Sequence, residues 1–178
     1  MRDRLTPSYM FGHYYEVTPQ FLKSIGVRAL LSDIDNTLAP YEQPTPDDRI
    51  RAWIDELRQN GILVALVSNN HEARVREFNE TLGLVAFWDS GKPNQKALLR
   101  AAEALGVPIE ESAMLGDQLL TDSYAGHSLD IPSIIVPPIR DKTNLFYRFK
   151  RLCERPFIRK YAKQNGYREW MSFWKIKP

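Results

Sequence analysis

The chain has 178 residues, a formal net charge of +2 and 43% hydrophobic residues, which suits one globular domain with a sizeable core. Its one cysteine, Cys153, excludes an internal disulfide framework and fits a reducing compartment. No stretch approaches the roughly 18 apolar residues of a membrane span, and the first residues carry no apolar signal core. We therefore expect a cytoplasmic protein.

The charge is distributed unevenly along the chain. Residues 1–139 hold 12 Lys and Arg against 19 Asp and Glu, a net of −7, whereas residues 140–178 hold 12 against 3, a net of +9. A basic, aromatic segment attached to an acidic body indicates a surface that meets something anionic. We predict a core domain at residues 1–140 and a basic helical tail at residues 141–178.

Apolar runs alternate with helical patterns along the core. The predicted strands are residues 27–32, 62–67, 84–88, 113–115 and 133–136. The predicted helices begin after Thr18, Asp47 and Asn70, near Asn94 and near Leu119. Repeated βα units predict a doubly wound, Rossmann-like parallel sheet, with the aromatic residues 1–17 as an arm packed on it.

The first predicted strand ends in two carboxylates, Asp33 and Asp35. Side chains alternate in a strand, so both can project toward one site, where two like charges are costly unless a cation lies between them. This pattern favours a hard metal such as Mg²⁺, although a plain Asp/Asn-rich turn is the alternative. An EF-hand is excluded, because the required Gly and Glu positions hold Leu38 and Pro44.

Polar residues follow the other predicted strands as well. Because the carboxyl ends of parallel strands lie along one edge of a sheet, we expect these side chains to converge on one crevice. They are Asp33, Asp35, Ser68, Lys92, Asp117 and Asp122. The chain has neither a dinucleotide fingerprint nor a P-loop, which argues against NAD or ATP as cofactor.

The order Asp-x-Asp-x-Thr, Ser, Lys and Gly-Asp-x₄-Asp resembles the haloacid dehalogenase (HAD) superfamily of phosphohydrolases. The resemblance is closer to the subfamily IIIA phosphatases of the YqeG type. It is carried by residues 17–19, 33–38, 67–70 and 116–122 and extends over residues 9–161. Mitochondrial phosphatidylglycerophosphate phosphatases resemble the same group.

The resemblance implies roles for the three reacting residues. Asp33 is expected to attack phosphorus and form an aspartyl-phosphate, and Asp35 to protonate the leaving group and then activate water. Lys92 is expected to stabilise the charge that builds up on the phosphoryl oxygens.

The resemblance also implies a cofactor and a set of binding residues. Mg²⁺ is expected on the Asp33 carboxylate, the Asp35 backbone carbonyl and Asp117, with Asp122 supporting this site or Lys92. Substrate contacts are expected from Asn36, Thr37, Ser68 and Asn69.

Each assignment has a plainer alternative. Asp117 and Asp122 could simply begin a helix, Lys92 could be a solvated loop lysine, and Ser68 could be a helix cap. The sequence departs from the family at Gly126-His127-Ser128, where relatives tend to carry Gly-Asn-Arg. Because of that departure, the substrate can be inferred from relatives less firmly than the reaction can.

No cap domain fits between the motifs, because 32 residues separate Asp35 from Ser68 and 23 separate Ser68 from Lys92. A capless site is open, which suits a large or membrane-held phosphate ester.

The tail predicts a basic amphipathic helix. Its apolar face is expected at Leu145, Phe146, Phe149, Leu152, Cys153, Phe157, Ile158 and Tyr161, and its basic face at Arg148, Lys150, Arg151, Arg155, Arg159, Lys160 and Lys163. Such a helix can lie at an anionic bilayer surface, or its apolar face can pack on the sheet. RNA is a further anionic partner that fits this composition.

The sequence thus predicts a Mg²⁺-dependent HAD phosphomonoesterase. By resemblance, the favoured substrate is phosphatidylglycerophosphate in phospholipid metabolism, at the inner face of the membrane. The alternatives are a phosphatase of a soluble nucleotide, sugar phosphate or phosphoprotein, and a factor that associates with RNA or the ribosome.

Overall fold

The fold is a six-stranded parallel sheet, seen in a computed structural model that describes residues 4–140 and 145–165. The strands are β1 (Tyr9–Met10), β2 (Ala29–Ser32), β3 (Leu63–Val67), β4 (Val85–Phe87), β5 (Ser112–Gly116) and β6 (Ser133–Ile135). Their order across the sheet is β1-β6-β5-β2-β3-β4, and every neighbouring pair is parallel. The predicted doubly wound α/β architecture is confirmed.

Helices connect the strands and cover both faces of the sheet. They are α1 (Pro19–Ser24), α2 (Asp48–Gln59), α3 (Glu72–Asn79), α4 (Lys96–Leu105), α5 (Tyr124–Ser128) and α6 (Leu145–Asn165). Buried residues of α2 and α3 pack in one cluster with Leu30, and those of α4 and α5 pack in another with Leu31. Leu30 and Leu31 are neighbours on β2, so these helices lie on opposite faces of the sheet.

The α2 helix shows how the local sequence produces the fold. The carboxylate of Asp47 accepts the N–H of Ile50 at 2.9 Å and caps the helix, as its position predicts. The apolar residues at helical spacing, Ile50, Trp53, Ile54 and Leu57, are all buried. Burying each of the larger side chains contributes about 1.5–3 kcal/mol to folding.

The N-terminal arm contributes a sixth strand that the sequence pattern did not predict. Tyr9 and Met10 pair with Ile134 and Ile135, so β1 extends the sheet beyond β6. Two residues are too few to show the alternation by which strands are recognised in a sequence.

The connection between β5 and β6 also differs from the predicted structure. The predicted helix at residues 119–125 is a π-helical turn, Leu119–Ser123, followed by the short helix α5. Such turns often occur at functional sites, and this one carries Asp122.

The C-terminal helix α6 packs on the core through its second half. Ile158 and Tyr161 are buried against Met10, Leu119 and Ile135. The Tyr161 hydroxyl oxygen accepts the Met10 N–H at 3.1 Å. The core-packing alternative is therefore the one observed for this half of the tail.

The first half of α6 presents a different surface. Phe149 and Leu152 are 64% and 57% exposed, and Cys153 is exposed too. The amphipathic pattern predicts that all these apolar residues share one face, but Phe149 and Ile158 are nine residues apart. Nine residues are two and a half helical turns, which puts them on opposite sides of a helix that continues through Pro156.

Part of the predicted tail lies outside the described residues. This applies to residues 141–144 and 166–178, and to the side chains of Leu145, Phe146, Arg148 and Arg151. Within the described part of the chain, no helix combines the length and hydrophobicity needed to cross a membrane.

Candidate active site

Asp33 lies just beyond the carboxyl end of β2, in the middle of the sheet. Its N–H donates to the carbonyl of Leu115 on β5 at 2.9 Å, so the backbone still follows the sheet at this residue. The carboxylate is 9% exposed and accepts a hydrogen bond of 2.9 Å from the Lys92 ammonium. The nucleophile candidate is thus held rigidly beside a cation.

Lys92 connects three parts of the site. Its ammonium donates to the Val67 carbonyl at 2.6 Å and lies 2.8 Å from Oδ1 of Asp122 as well as contacting Asp33. The side chain is 1% exposed, so the solvated-loop alternative is wrong for this residue. A buried ammonium with three oxygen neighbours is well placed to offset negative charge.

The charges of Asp33, Lys92 and Asp122 shift the pKa values of Asp33 and Lys92. Burial raises the pKa of Asp33 to about 7, because the attraction of Lys92 only partly offsets burial and the carboxylates of Asp122 and Asp117 add repulsion. Burial acts to lower the pKa of Lys92, but the carboxylates of Asp122 and Asp33 raise it above the ordinary lysine value. The lysine therefore stays charged, whereas added positive charge beside Asp33 would favour its ionised form.

Three carboxylates form a group that fits a divalent cation. Asp33, Asp117 and Asp122 are buried, and one oxygen from each lies within 4.8 Å of the others. Oxygen ligands of this type suit Mg²⁺, and three buried carboxylates here face the single ammonium of Lys92. The residues present therefore fit the predicted cation.

Asp122 is held in place by backbone contacts. Its Oδ2 accepts the N–H of Gln118 at 3.1 Å, and its own N–H donates to the Gln118 carbonyl at 2.9 Å. Gly116 leaves room for it, because a Cβ at that position would overlap the Asp122 carboxyl group. Glycine is thus required sterically at position 116 of the Gly-Asp motif.

Asp35 has separate partners that the sequence analysis did not identify. Arg74 on α3 donates to its Oδ1 at 3.1 and 3.3 Å, and Asn70 donates to its Oδ2 at 2.8 Å. Arg74 also donates to the Pro44 carbonyl at 3.0 Å. Asp33 and Asp35 are therefore each paired with a cation of their own, rather than sharing one.

A signal for Arg74 does exist in the sequence. It lies directly beside the buried Val75 and four residues before the buried Phe78, and its guanidinium stacks over the Phe78 ring at 5.1 Å. An arginine next to the apolar stripe of a helix that follows a motif strand is a candidate for reaching into the site.

The residues predicted to contact substrate differ in how their side chains are used. Ser68 is buried and its Oγ accepts the Asn70 N–H at 3.1 Å, while α3 begins after His71, which makes no side-chain cap. Asn69 bonds through its carboxamide to both backbone groups of Lys92, at 2.7 and 3.0 Å. Asn69 thus fixes the Lys92 loop, and contacts of Ser68 and Asn69 with substrate stay predictions.

Asn36 and Thr37 lie in the tight turn after Asp35. Asn36 has φ of 65°, in the left-handed region that asparagine tolerates, and its side chain accepts the Arg140 N–H at 3.3 Å. The Thr37 hydroxyl is buried and has no hydrogen-bond partner among the described residues. Roles for both in substrate binding stay predictions.

His127 lies in the segment that departs from the family pattern. Its Nε2 is 2.9 Å from Ser8 Oγ and 3.1 Å from Ser133 Oγ, and its Nδ1 is 3.1 Å from the Arg4 carbonyl. These contacts tie the N-terminal arm to β6. The departure therefore has a structural use in this chain.

The comparisons with known proteins agree with this geometry. The family model described as haloacid dehalogenase-like hydrolase matches residues 5–130. The chain belongs to the HAD-like hydrolases. It is 34% identical over 164 residues to the "Probable phosphatase YqeG" of Bacillus subtilis. The aligned region covers 92% of this chain and 95% of that protein. By family and by this likeness, the chain is an enzyme, a HAD-type phosphatase.

Solved structures support the fold. The cobalt-bound deoxy-D-mannose-octulosonate 8-phosphate phosphatase of Haemophilus influenzae superposes with a TM-score of 0.52 and 16% identity, covering 81% of this chain and 91% of that one. The corresponding protein of Vibrio cholerae gives a TM-score of 0.51 and 17% identity, covering 66% and 72%.

Proposed function

We propose that this HAD enzyme hydrolyses phosphomonoesters through a phosphoryl group carried transiently on Asp33. The observation that carries the proposal is the buried group of Asp33, Lys92 and Asp122 beside Asp117, at the carboxyl edge of the sheet. Each residue of this group has a chemical use in phosphoryl transfer, and a binding module has no need to bury them together.

The reaction begins with attack of an Asp33 oxygen on phosphorus. The bond between phosphorus and the ester oxygen breaks, and the leaving alkoxide takes a proton from Asp35. Water, deprotonated by Asp35, then attacks the phosphorus and releases phosphate with Asp33 restored. Lys92, and the Ser68 hydroxyl, hold the phosphoryl oxygens while charge develops.

The site also has the residues for a divalent cation. The carboxylates of Asp33 and Asp117 and the carbonyl of Asp35 would hold Mg²⁺, with Asp122 beside them. When bound, the cation neutralises phosphate charge and keeps Asp33 ionised.

The proposed substrate is a large or membrane-held phosphate ester, with phosphatidylglycerophosphate the favoured example. Between Asp35 and Ser68 the chain forms only a loop, α2 and β3, and between Ser68 and Lys92 only α3 and β4, so neither of these segments forms a cap over the site. An open site can accept a phosphate group on a bulky molecule.

The exposed part of α6 supports a lipid surface as the place of action. Phe149 and Leu152 are exposed beside the basic residues Lys150 and Arg155. Apolar side chains with neighbouring cations favour an anionic bilayer interface, where each basic residue contributes about 1 kcal/mol. The same charges suit RNA, which is the alternative partner.

The test is phosphate release from phosphatidylglycerophosphate in mixed micelles with Mg²⁺, beside a panel of soluble phosphate esters. Asp33→Asn should abolish turnover, and Asp55→Asn, the same change on the exposed side of α2, should not. Turnover of soluble esters alone would discard the lipid and keep the mechanism. RNA binding without turnover of any ester would reject the whole proposal.

A further inference from the structure

Glu154 on α6 is a buried carboxylate that the reaction does not use. It is 1% exposed, whereas its neighbours Cys153 and Arg155 are exposed. Burying an acidic side chain is costly unless hydrogen bonds compensate, so its surroundings require an explanation.

Two backbone N–H groups of the turn that carries Asp122 donate to it. One carboxylate oxygen, Oε1, accepts the N–H of Leu119 at 2.8 Å and that of Leu120 at 3.2 Å. These are the first N–H groups of the helical turn Leu119–Ser123, and N–H groups at that position have no acceptor within their own turn. Glu154 supplies the missing acceptor from another element.

The same turn separates two residues of the active site. Asp117 precedes it, Asp122 lies within it, and Asp122 is 2.8 Å from the Lys92 ammonium. Within the turn, Gln118 binds Asp122 through its backbone N–H and carbonyl, and the same carbonyl also accepts the Ser123 N–H at 3.3 Å. The N–H groups of Leu119 and Leu120 are instead bound by Glu154 of α6.

We infer that Glu154 is a positioning residue, through which the C-terminal helix completes the active site. It holds the turn so that Asp117 faces the cation position and Asp122 faces Lys92. The inference rests on the roles proposed above for Asp33, Lys92 and Asp117.

The competing explanation is that α6 only anchors the tail. Ile158 and Tyr161 already do this by packing on Met10, Leu119 and Ile135. Anchoring predicts that any weakening of α6 lowers stability alone, whereas positioning predicts a specific loss of cation binding and turnover at Glu154.

The experiment compares full-length Glu154→Ala, Glu154→Gln and Ile158→Val with the native chain. Mg²⁺ binding is measured by calorimetry without substrate, and kcat and KM with p-nitrophenyl phosphate as a soluble probe. Glu103→Gln repeats the Glu→Gln change on the exposed face of α4.

We expect Glu154→Ala to weaken Mg²⁺ binding and lower kcat, each by at least about tenfold, with KM changed less than threefold. Glu154→Gln keeps an oxygen acceptor in place, so we expect a loss of only about two- to fivefold. Ile158→Val should lower the melting temperature but leave kcat and Mg²⁺ binding within twofold.

Two results would overturn the inference. One is a folded Glu154→Ala protein whose Mg²⁺ affinity and kcat lie within twofold of the native values, and the other is a Gln variant as damaged as the Ala variant. If the Ala variant does not fold, hydrogen exchange in Glu154→Gln decides. Faster exchange at the amides of Leu119 and Leu120 supports the inference, and unchanged exchange rejects it.

Asp33→Asn separates this inference from the proposed function. If that variant keeps its activity, the proposed mechanism fails whatever Glu154 does. If it is inactive while Glu154→Ala is fully active, only the inference about α6 fails.

Discussion

The guanidinium of Arg74 lies 3.1 Å from Oδ1 of Asp35 in an ion pair that is nearly excluded from solvent, with side chains 10% and 13% exposed. This pair joins α3 to the loop that follows β2, and Arg74 also donates to the Pro44 carbonyl further along that loop. Asp35 is therefore fixed from outside its own segment.

Replacing Arg74 should impair catalysis more than folding. We expect Arg74→Gln to lower kcat about 100-fold, because a misplaced acid–base group loses its alignment with the ester oxygen. The measurement is steady-state kinetics with a soluble phosphate ester. Arg76→Gln is the control on the same helix. It removes the exposed pair with Glu72 and the stacking over Trp88, both away from Asp35, and should retain full activity. Equal effects of the two substitutions would contradict a specific role for Arg74.

Removing the charge of Lys92 should destabilise the protein. Lys92→Met leaves Asp33 and Asp122 buried without their cation, which costs about 3–5 kcal/mol. Urea unfolding in a metal chelator measures this loss, and added Mg²⁺ should recover part of it. Lys96→Met, on an exposed lysine of α4, should change the unfolding free energy by less than about 0.5 kcal/mol. A metal-free Lys92→Met protein as stable as the native one would contradict the electrostatic account of the site.

Adding one methyl group at Gly116 should disrupt the site. Its Cβ would overlap the Asp122 carboxyl group, so Gly116→Ala must displace Asp122 from Lys92. We expect kcat to fall at least about tenfold. Gly126→Ala is a graded control, since its Cβ would lie 3.3 Å from the Met114 Cβ and needs only a small shift. Full activity in Gly116→Ala would show that Asp122 is not required where the structure places it.

The affinity of the metal-free site for Mg²⁺ should rise with pH up to about 7. Burial raises the pKa of Asp33 to about 7, so below that pH the carboxyl is protonated and must lose its proton when the cation binds. Above pH 7 it is already ionised, and the pH dependence from this group disappears. Calorimetry at pH 6 in two buffers of different ionisation enthalpy should detect proton release, and the release should vanish at pH 8. Binding without proton release at pH 6 would contradict this assignment.

Much of the fold could be predicted because local signals and tertiary packing agree. The Asp47 cap and the apolar spacing of α2 specify one helix and one buried face, and the apolar run at residues 62–67 specifies a buried parallel strand. β1 could not be predicted, since its pairing depends on the distant residues Ile134 and Ile135 rather than on its own pattern.

The site was predictable where the chemistry lies in short motifs at strand ends. Asp33, Lys92, Asp117 and Asp122 come together in the structure because each follows the carboxyl end of a parallel strand. Arg74 and Glu154 were not predicted, because each reaches the site from a helix whose rotation and docking are decided by tertiary packing. The exposure of Phe149 was not predicted, because Phe149 and Ile158 are nine residues apart and lie on opposite sides of one helix that continues through Pro156.

The most direct test of the central claim is to trap the phosphoryl group on the enzyme. A rapidly quenched reaction with a ³²P-labelled phosphate ester should yield labelled protein that hydroxylamine discharges, as an acyl phosphate does. The labelled peptide should contain Asp33, and Asp33→Asn should yield no label while Asp55→Asn labels normally. Label on another residue, or undiminished turnover by Asp33→Asn, would contradict the mechanism.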